Sequence, residues 1–328
     1  MILANRRSGL PRIAVIIPAY NRAAMISRAI DSVLAQDFHD FELIVVDDGS
    51  TDSTVEVARG FDDPRMRVVA LGRNRGSNAA RNAGIKNASA PLIAFLDSDD
   101  TYLPHKLSTV IAEFGRNPEL DVLVDSFVKL TSPQAKRDWI ERLNPRVTST
   151  EEFARRLFAR ELWKPTSAIT LKREAALRAG MFDEDVARRQ DMEFLIRLTE
   201  VANCASTDVI TWTKYWSPDS ISEQKAFVAS TLELVRRHPQ YMARPEYRCG
   251  LAKDMTRHLL LLLRERRYGE AAKGAKLLVR EFGAARTAGL LVIGARELSK
   301  RRLKRRRGAT APTAQESSAA RNRASARS

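Results

Sequence analysis

The chain has 328 residues, of which 44% are hydrophobic, and a formal net charge of +15. That length can bury a substantial core, and it indicates one large domain with an appendage or two smaller domains. Two cysteines and four histidines, dispersed without ligand spacing, argue against a disulfide framework and against a zinc site. Residues 1–12 contain charges and no apolar core, so we expect a cytoplasmic protein without a signal peptide.

Much of the positive charge lies in one segment near the end of the sequence, which begins at Arg296 and ends at Arg307. It contains eight basic residues and one acidic residue, so the rest of the chain is much less basic and no nucleic acid partner is expected. With apolar residues such as Leu290 and Leu298 close by, the segment is suited to an anionic membrane surface. Nucleic-acid binding by this segment and a merely solubilising extension stay open as alternatives.

Apolar runs alternate with segments of helical period between residues 12 and 130. The pattern predicts strands at 13–17, 42–46, 66–71, 92–96 and 121–130, and helices at 25–34, after residue 52, at 77–87 and at 103–114. Because these strands are apolar throughout, we expect an α/β fold, with a mostly parallel central sheet and helices on both faces.

The remainder of the sequence is less regular. Helices are predicted at 150–159, 173–179 and 191–202, strands at 168–171 and 208–215, and helices alone at 224–307. The predicted organisation is an N-terminal extension (1–11), an α/β domain (12–222, with halves 12–130 and 131–222), a helical C-terminal region with a basic end (223–307) and a disordered tail (308–328).

Polar clusters follow three of the predicted strands: Tyr20-Asn21, Asp47-Asp48 and Asp97-Ser98-Asp99-Asp100. In parallel sheets ligands bind beyond the carboxyl ends of the strands, so the three clusters point to one site. Three carboxylates within four residues are costly to bury without a cation. A divalent metal held against a phosphorylated ligand would supply that cation. The alternative is an acidic loop that leads into the next helix.

Four sequence runs, taken together and in this order, resemble the motifs of the inverting family 2 glycosyltransferases. They read IIPAYN (16–21), VVDDGSTD (45–52), NRGSNAARNAG (74–84) and LDSDD (96–100). The resemblance covers roughly residues 12–222. It implies a GT-A, Rossmann-like fold and the transfer of a sugar from a nucleotide diphosphate donor.

The resemblance also implies which residues contact the donor. Pro18, Tyr20 and Asp48 would frame the nucleobase, with Tyr20 supplying an aromatic face and Asp48 accepting a hydrogen bond. Asn21, next to Tyr20, is counted among the donor-binding residues. The alternatives are a core role for Tyr20 and a turn role for Asp48 ahead of Gly49.

The resemblance implies that the later motifs bind the phosphate side of the donor. Arg81 would reach a phosphate or order the acidic site, and its alternative is a solvated helix charge. Asp97 would contact the ribose or the metal, and Asp99 would ligate Mg²⁺ or Mn²⁺. Asp100 is interpreted as a residue that caps the next helix.

The catalytic base of the family usually lies in a Glu-Asp pair that opens a helix. Here Gln190 replaces the glutamate, and Asp191 is the predicted catalytic base. Leu195 and Leu198 follow at helical spacing, so the side chain of Asp191 is expected to point into the protein. A helix-capping acid is the alternative role of Asp191, and Glu193 is the second candidate for the base.

The predicted function is a metal-dependent inverting glycosyltransferase of the hexosyl or N-acetylhexosaminyl type, active in cell-surface polysaccharide assembly. Its partners would be a nucleotide-diphospho-sugar donor, a glycan or lipid-linked acceptor and the inner face of the plasma membrane. Residues 215–222 resemble the family segment that folds over the donor. One rival is a catalytically impaired sugar-nucleotide-binding or scaffold protein, which Gln190 favours. A nucleotidyltransferase is another rival. It is weaker because residues 18–22 lack the glycines expected of the first loop of such an enzyme.

Overall fold

A computed structural model describes residues 9–131, 138–216 and 227–307. The predicted tail at 308–328, most of the N-terminal extension and residues 217–222 of the predicted donor-covering segment lie outside these ranges. The described residues form two compact units, one that ends at Tyr247 and one that begins at Arg248. The domain boundary predicted at residue 222 falls outside the described residues and stays a prediction.

The first half of the sheet-forming unit follows the predicted alternation of strands and helices, and its long strands begin and end within two residues of the predicted bounds. The elements are β1 (Ile13–Ala19), α1 (Ile26–Leu34), β2 (Phe41–Asp47), α2 (Thr54–Arg59), β3 (Met66–Ala70), α3 (Ser77–Asn87), β4 (Leu92–Phe95), β5 (Thr101–Tyr102), α4 (Lys106–Arg116) and β6 (Val122–Leu130).

The second half continues with β7 (Trp139–Arg142), α5 (Thr150–Phe158), β8 (Ile169–Lys172), α6 (Arg173–Arg178), α7 (Gln190–Val201) and β9 (Cys204–Lys214). Two short helices close the unit, α8 (Phe227–Arg237) and α9 (Gln240–Ala243). The sequence pattern did not predict β5 and β7, which are too short to show a period.

The strands form one sheet in the order β3-β2-β1-β4-β8-β6-β9-β5, with β7 paired to β6. The pairs among β3, β2, β1 and β4 are parallel, as are β6 and β9. Strand β8 is antiparallel to both of its neighbours, β4 and β6. Both central strands β1 and β2 are buried along their whole length, because helices cover the two faces of the sheet. The expected α/β class is confirmed.

Helix α3 approaches the sheet unusually closely at one glycine. A Cβ atom added to Gly84 would lie 2.4 Å from Cγ2 of Ile16 in β1. Only a residue without a side chain fits there, which explains the glycine that ends the third motif. The close approach brings the polar residues of α3 over the carboxyl ends of β1 and β4.

The second unit is helical, as predicted. It consists of most of α10 (Pro245–Arg264) together with α11 (Tyr268–Phe282) and α12 (Ala284–Arg307). Helices α10 and α12 touch at Gly294, where an added Cβ would lie 2.2 Å from the hydroxyl oxygen of Thr256. None of the helices in the described ranges combines the length and the apolar character needed to cross a bilayer.

Candidate functional site

A cavity of about 610 Å³ lies at the carboxyl ends of β1, β2 and β4. Both halves of the first unit contribute to its wall, the first half through its motif residues and the second through the start of α7 and the end of β9. Most of the predicted site residues line it: Pro18, Tyr20, Asp48, Arg81, Asp97, Asp99 and Asp191. The structure therefore gathers residues that are far apart in sequence into one site.

Asp48 organises the wall of this cavity. Its two carboxylate oxygens accept the backbone N–H groups of Arg75 and Gly76, each at 2.8 Å. The neighbouring Gly49 has a φ of +75°, and an added Cβ would lie 2.4 Å from the carbonyl carbon of Arg73. Asp48 thus fixes the turn that precedes α3, while it also lines the cavity. Its contact with a nucleobase stays a prediction.

The two residues of the first polar cluster are placed differently. The Tyr20 side chain is 40% exposed and lines the cavity, so the alternative of a core tyrosine is wrong. Asn21 is absent from the described residues of the cavity wall. Its backbone N–H donates to Oγ of Ser50 at 2.9 Å, and its Oδ1 accepts from the N–H of Thr51 at 2.8 Å. These hydrogen bonds join two loops, and a contact of Asn21 with the donor stays a prediction.

Arg81 is a buried cation directed at the acidic cluster. It is 4% exposed, so the alternative of a solvated helix charge is wrong. Its Nη2 donates to Oδ1 of Asp97 at 2.8 Å, and its Nη1 donates to Oγ of Ser77 at 3.2 Å. Burial acts to raise the pKa of Asp97, but the charges of Arg81 and Lys214 outweigh it and hold that pKa below its ordinary value.

Asp97, Asp99 and Asp100 form one cluster, with a carboxylate oxygen from each lying within 4.8 Å of the others. Burial and the charge of Asp97 raise the pKa of Asp99. Burial raises the pKa of Asp100 to about 8, with Asp97 and Asp99 adding to the shift against the opposing charge of Lys214. Hard carboxylate oxygens grouped in this way fit a divalent cation such as Mg²⁺ or Mn²⁺, which would relieve their mutual repulsion.

The interpretation of Asp100 as a helix cap is wrong. Strand β5 follows it, and α4 begins only at Lys106 with His105 at the cap position. Asp100 is fully buried and accepts from Oγ of Ser167 at 3.0 Å and from the N–H of Tyr215 at 3.1 Å. It is therefore the innermost member of the acidic cluster, tied to the second half of the chain.

Sequence reasoning missed the residues at the end of β9. The ammonium nitrogen of Lys214 lies 3.7 Å from Oδ2 of Asp100, and it lines the cavity. Burial acts to lower the pKa of Lys214, but the three carboxylates raise it above its ordinary value. Lys214 belongs to no motif run. The sequence showed only that it lies near the end of the predicted strand at 208–215, and the parallel pairing of that strand with β6 is visible in the structure alone.

Tyr215 continues this connection. The guanidinium carbon of Arg28 lies 3.6 Å from the centre of the Tyr215 ring, and Nη2 of Arg28 donates to the carbonyl oxygen of Asp99 at 2.8 Å. The start of the predicted donor-covering segment is thus attached to the acidic loop. Tyr215 and Trp216 are the residues of that segment that the structure describes.

Asp191 lies in the first turn of α7, half-buried on the cavity wall beside Gln190. Its Oδ1 accepts the N–H of Met192 at 2.7 Å. The residue before the helix, Arg189, has a φ of +60° and lines the cavity as well. This position allows Asp191 to meet an acceptor hydroxyl, and its role as the base stays a prediction.

Glu193, the second candidate for the base, is unsuited to the role. It is 3% exposed and is not among the described residues that line the cavity. Its carboxylate accepts from Nε and Nη2 of Arg197 at 2.7 and 2.6 Å, and it lies 3.4 Å from Nε2 of His238. Burial acts to raise the pKa of Glu193, but His238 and Arg197 outweigh it and lower that pKa to about 2.

Residues 14–175 match the sequence pattern of the family described as glycosyl transferase family 2. Over 102 residues, 31% of this chain, the sequence is 48% identical to the succinoglycan biosynthesis protein ExoO of Rhizobium meliloti, of which it covers 29%. The chain spans about half or less of the length of the first curated relatives it matches.

Two solved structures share the fold. S. aureus TarS 1-349 in complex with UDP-GlcNAc superposes with a TM-score of 0.63 over 85% of this chain and 83% of that chain, at 18% identity. The mannosyltransferase PcManGT from Pyrobaculum calidifontis, in complex with GDP-Man and Mn²⁺, superposes with a TM-score of 0.56 over 87% and 80%, at 20% identity. Both are similar in fold alone, and the shared fold is GT-A. With this fold and the matching pattern over residues 14–175, the chain belongs to glycosyl transferase family 2.

Proposed function

We propose that the protein is a metal-dependent inverting glycosyltransferase. It would move a hexosyl or N-acetylhexosaminyl unit from a nucleotide diphosphate to a glycan or lipid-linked acceptor in cell-surface polysaccharide assembly, at the cytoplasmic face of the membrane. The observation that carries the proposal is one cavity lined both by the acidic cluster with Arg81 and by Asp191. A donor diphosphate and an acceptor hydroxyl need these two kinds of group within reach of each other.

The residues of this chain supply the parts of a direct displacement. Asp191 accepts the proton of the acceptor hydroxyl, whose oxygen forms a bond to the anomeric carbon of the donor sugar. The bond from that carbon to the diphosphate oxygen breaks with inversion, and the electron pair leaves on the diphosphate. Arg81 and Lys214 hold positive charge beside the acidic cluster, where the diphosphate gains charge.

The carboxylates of Asp97 and Asp99, with Asp100 behind them, would hold the metal. Bound there, Mg²⁺ or Mn²⁺ would neutralise charge on the departing diphosphate. PcManGT was solved with GDP-Man and Mn²⁺, and TarS with UDP-GlcNAc. These ligands support a nucleotide-sugar donor and a divalent metal for the present protein.

The proposed role in polysaccharide assembly is based on the name of a relative. ExoO is named for succinoglycan biosynthesis. An acceptor built from sugars, free or linked to lipid, follows from such a role.

A catalytically impaired sugar-nucleotide-binding protein is the second candidate, because Gln190 lies on the cavity wall where the family has a glutamate. Nothing in the geometry of residues 18–22 favours the nucleotidyltransferase alternative. The two leading candidates differ in turnover, since both bind the donor and only the enzyme transfers or hydrolyses it.

A thermal-shift screen of nucleotide diphosphate sugars with Mn²⁺, repeated with EDTA, tests the proposal. We expect one nucleotide class to raise the unfolding temperature, and EDTA to remove most of that rise. Release of free nucleoside diphosphate by the wild type, measured with the same donor, separates the enzyme from the impaired protein. The absence of a response to every donor would contradict both candidates.

The basic end of α12 is proposed to contact anionic lipid, which would place the enzyme beside a lipid-linked acceptor. The test is sedimentation with vesicles that contain phosphatidylglycerol, compared with vesicles of phosphatidylcholine alone. The full chain is compared with a variant in which Arg301, Arg302, Lys304 and Arg305 are replaced by Gln. Equal sedimentation of the two proteins would remove the membrane contact from the proposal.

A further inference from the structure

The wall of the cavity is more basic than the donor site requires. Among the described residues it carries seven cationic side chains and four carboxylates. Arg81 and Lys214 pair with the acidic cluster, and Arg22 adds a third positive charge near Asp97. Four further cations come from the second half of the chain: Arg160, Lys164, Arg188 and Arg189. Among the described residues of that half, Asp191 is the one carboxylate that lines the cavity.

Two of these cations have an unusual backbone. Arg160 and Arg189 both adopt left-handed conformations, with φ values of +59° and +60°. Glycine adopts this conformation without steric cost, and an arginine does not. Arg160 follows the last turn of α5, a position that glycine commonly takes, and its N–H donates to the carbonyl oxygen of Leu157 at 3.1 Å.

Arg189 precedes α7 and makes no side-chain capping bond, so capping does not explain its presence. Strained residues of this kind concentrate where a ligand is held. Five non-glycine residues in the described ranges have a positive φ, and Arg160 and Arg189 are the two of them that line the cavity.

An aromatic ring supports each of the two guanidinium groups. The Arg189 guanidinium carbon lies 4.2 Å from the centre of the Phe227 ring, and that of Arg160 lies 5.6 Å from the centre of the buried Tyr241 ring. A cation–π contact of this kind is compatible with hydrogen bonding through the N–H edge of the guanidinium. Such an edge is complementary to the two oxygens of a phosphate or a carboxylate.

The positions of these arginines indicate that an anionic group bound by them would belong to the acceptor and not to the donor. Arg188 and Arg189 directly precede Gln190 and Asp191, and the acceptor hydroxyl must lie within hydrogen-bond reach of the base. We propose that Arg160 and Arg189 bind an oxyanion, a phosphate or a carboxylate, carried by the acceptor near the hydroxyl that receives the sugar. The proposal rests on the proposed function of the site, and it narrows the acceptor from any glycan to an anionic one.

Calorimetric titration of the full chain tests this. The donor site is first saturated with Mn²⁺ and with UDP or GDP, so that a phosphate probe cannot occupy it. The probes are glucose 1-phosphate, glucuronate and the neutral methyl glucoside. Because hydrogen bonds to charged groups contribute strongly, we expect at least one of the two anions to bind about tenfold or more tightly than methyl glucoside. The stronger of the two identifies the oxyanion as phosphate or carboxylate.

Substitution by glycine separates the binding role of the arginines from a structural one. Arg160→Gly and Arg189→Gly suit the positive φ, so the unfolding temperature should not fall, while the preference for the anion is lost. The control is Arg59→Gln, which removes one exposed cation from the end of α2, away from the cavity wall, and should keep the preference.

Equal binding of all three probes by the wild type, or a preference that survives both glycine variants, would overturn the inference. The nucleotide titration in the same samples reports separately on the donor site. A missing nucleotide response would count against the proposed function, while loss of the anion preference in the two glycine variants would still place the anion at Arg160 and Arg189.

Discussion

The side-chain amide of Asn82 both donates a hydrogen bond to the backbone of Phe182 and accepts one from it. Its Nδ2 donates to the carbonyl oxygen of Phe182 at 2.8 Å, and its Oδ1 accepts from the N–H of Phe182 at 2.9 Å, although the two residues are 100 positions apart. One turn earlier on α3, Nδ2 of Asn78 donates to the carbonyl oxygens of Asp183 and Val186. The helix that aims Arg81 at the acidic cluster therefore also holds the loop that leads to the predicted base.

We expect Asn82→Ala to destabilise the protein by roughly 2–3 kcal/mol, because it leaves a buried N–H and a buried carbonyl group without partners. The measurement is chemical unfolding. Asn87→Ala is the control, since Asn87 is exposed on the same helix and donates within it to the carbonyl oxygen of Ala83. The same unfolding free energy for both variants would show that the contact with Phe182 contributes little.

The residues that could be predicted from sequence are those in continuous runs. Asp48, Arg81 and Asp97 each follow a strand or open a helix whose period is visible locally, so their common edge of the sheet could be inferred. The place of Lys214 and the contact of Asp100 with Tyr215 could not be predicted, because both depend on how distant strands pair. Nothing in the apolar run of β8 indicates that it lies antiparallel between β4 and β6.

The capping role of Asp100 was predicted wrongly, and the hydrogen bonds of Asn21 were not predicted, for a related reason. The capping role of Asp100 depended on the distance from the acidic run to the next helix, and the two-residue strand β5 changed that distance. The hydrogen bonds of Asn21 depend on the loop after β2, which reaches it from about thirty positions away. In both cases the local pattern was compatible with several structures, and long-range contacts decided between them.

Asp191→Asn is expected to lower the turnover number by roughly 10²–10⁴-fold, because the amide cannot accept the acceptor proton. Donor binding should change little, since the substitution preserves shape and the donor is held elsewhere on the cavity wall. Steady-state kinetics and a thermal shift with the donor measure the two effects. Gln190→Glu, which restores the family pair, should leave turnover equal or higher. Unchanged turnover in Asp191→Asn would contradict the assignment of the base.

Lys214→Met should shift two affinities in opposite directions. Removing a cation 3.7 Å from Asp100 increases the attraction of the acidic cluster for Mn²⁺ alone. The same change removes a positive charge from the place where the diphosphate binds, so the affinity for UDP or GDP in the presence of Mn²⁺ should fall. Titration calorimetry of the metal and then of the nucleotide measures both. Lys86→Met, at the exposed end of α3, is the matched control. A loss of both affinities would contradict this account.

Glu193→Gln should make stability less dependent on pH. A group whose pKa is lowered from 4.5 to about 2 on folding stabilises the protein above pH 4.5, and it loses that contribution as the pH falls towards 2. The unfolding free energy of the wild type should exceed that of the variant by at most about 3 kcal/mol at neutral pH, and the difference should shrink through this window.

Parallel unfolding titrations of the wild type and the Glu193 variant measure that difference at each pH. Glu151→Gln, an exposed carboxylate on α5, should change the unfolding free energy by less than about 0.5 kcal/mol. A difference that grows as the pH falls would have the wrong sign for a lowered pKa, and the pairing of Glu193 with Arg197 and His238 would then not be the cause.

Lys106 and Asp125 form an ion pair with both side chains almost completely buried, at 0% and 1% exposure. Lys106→Met should cost about 3–5 kcal/mol, because it leaves the carboxylate of Asp125 buried without its cation. The double variant Lys106→Met, Asp125→Leu should recover most of that loss, since removing both charges also removes the cost of burying them. Unfolding free energies of the wild type, the two single variants and the double variant give the coupling energy of the pair.

Arg116→Met is the control. Arg116 lies on the same helix and pairs with Glu113, but its side chain is 69% exposed, so its loss should cost less than about 1 kcal/mol. If Lys106→Met costs no more than Arg116→Met, the buried pair does not contribute to the folding of the sheet against α4.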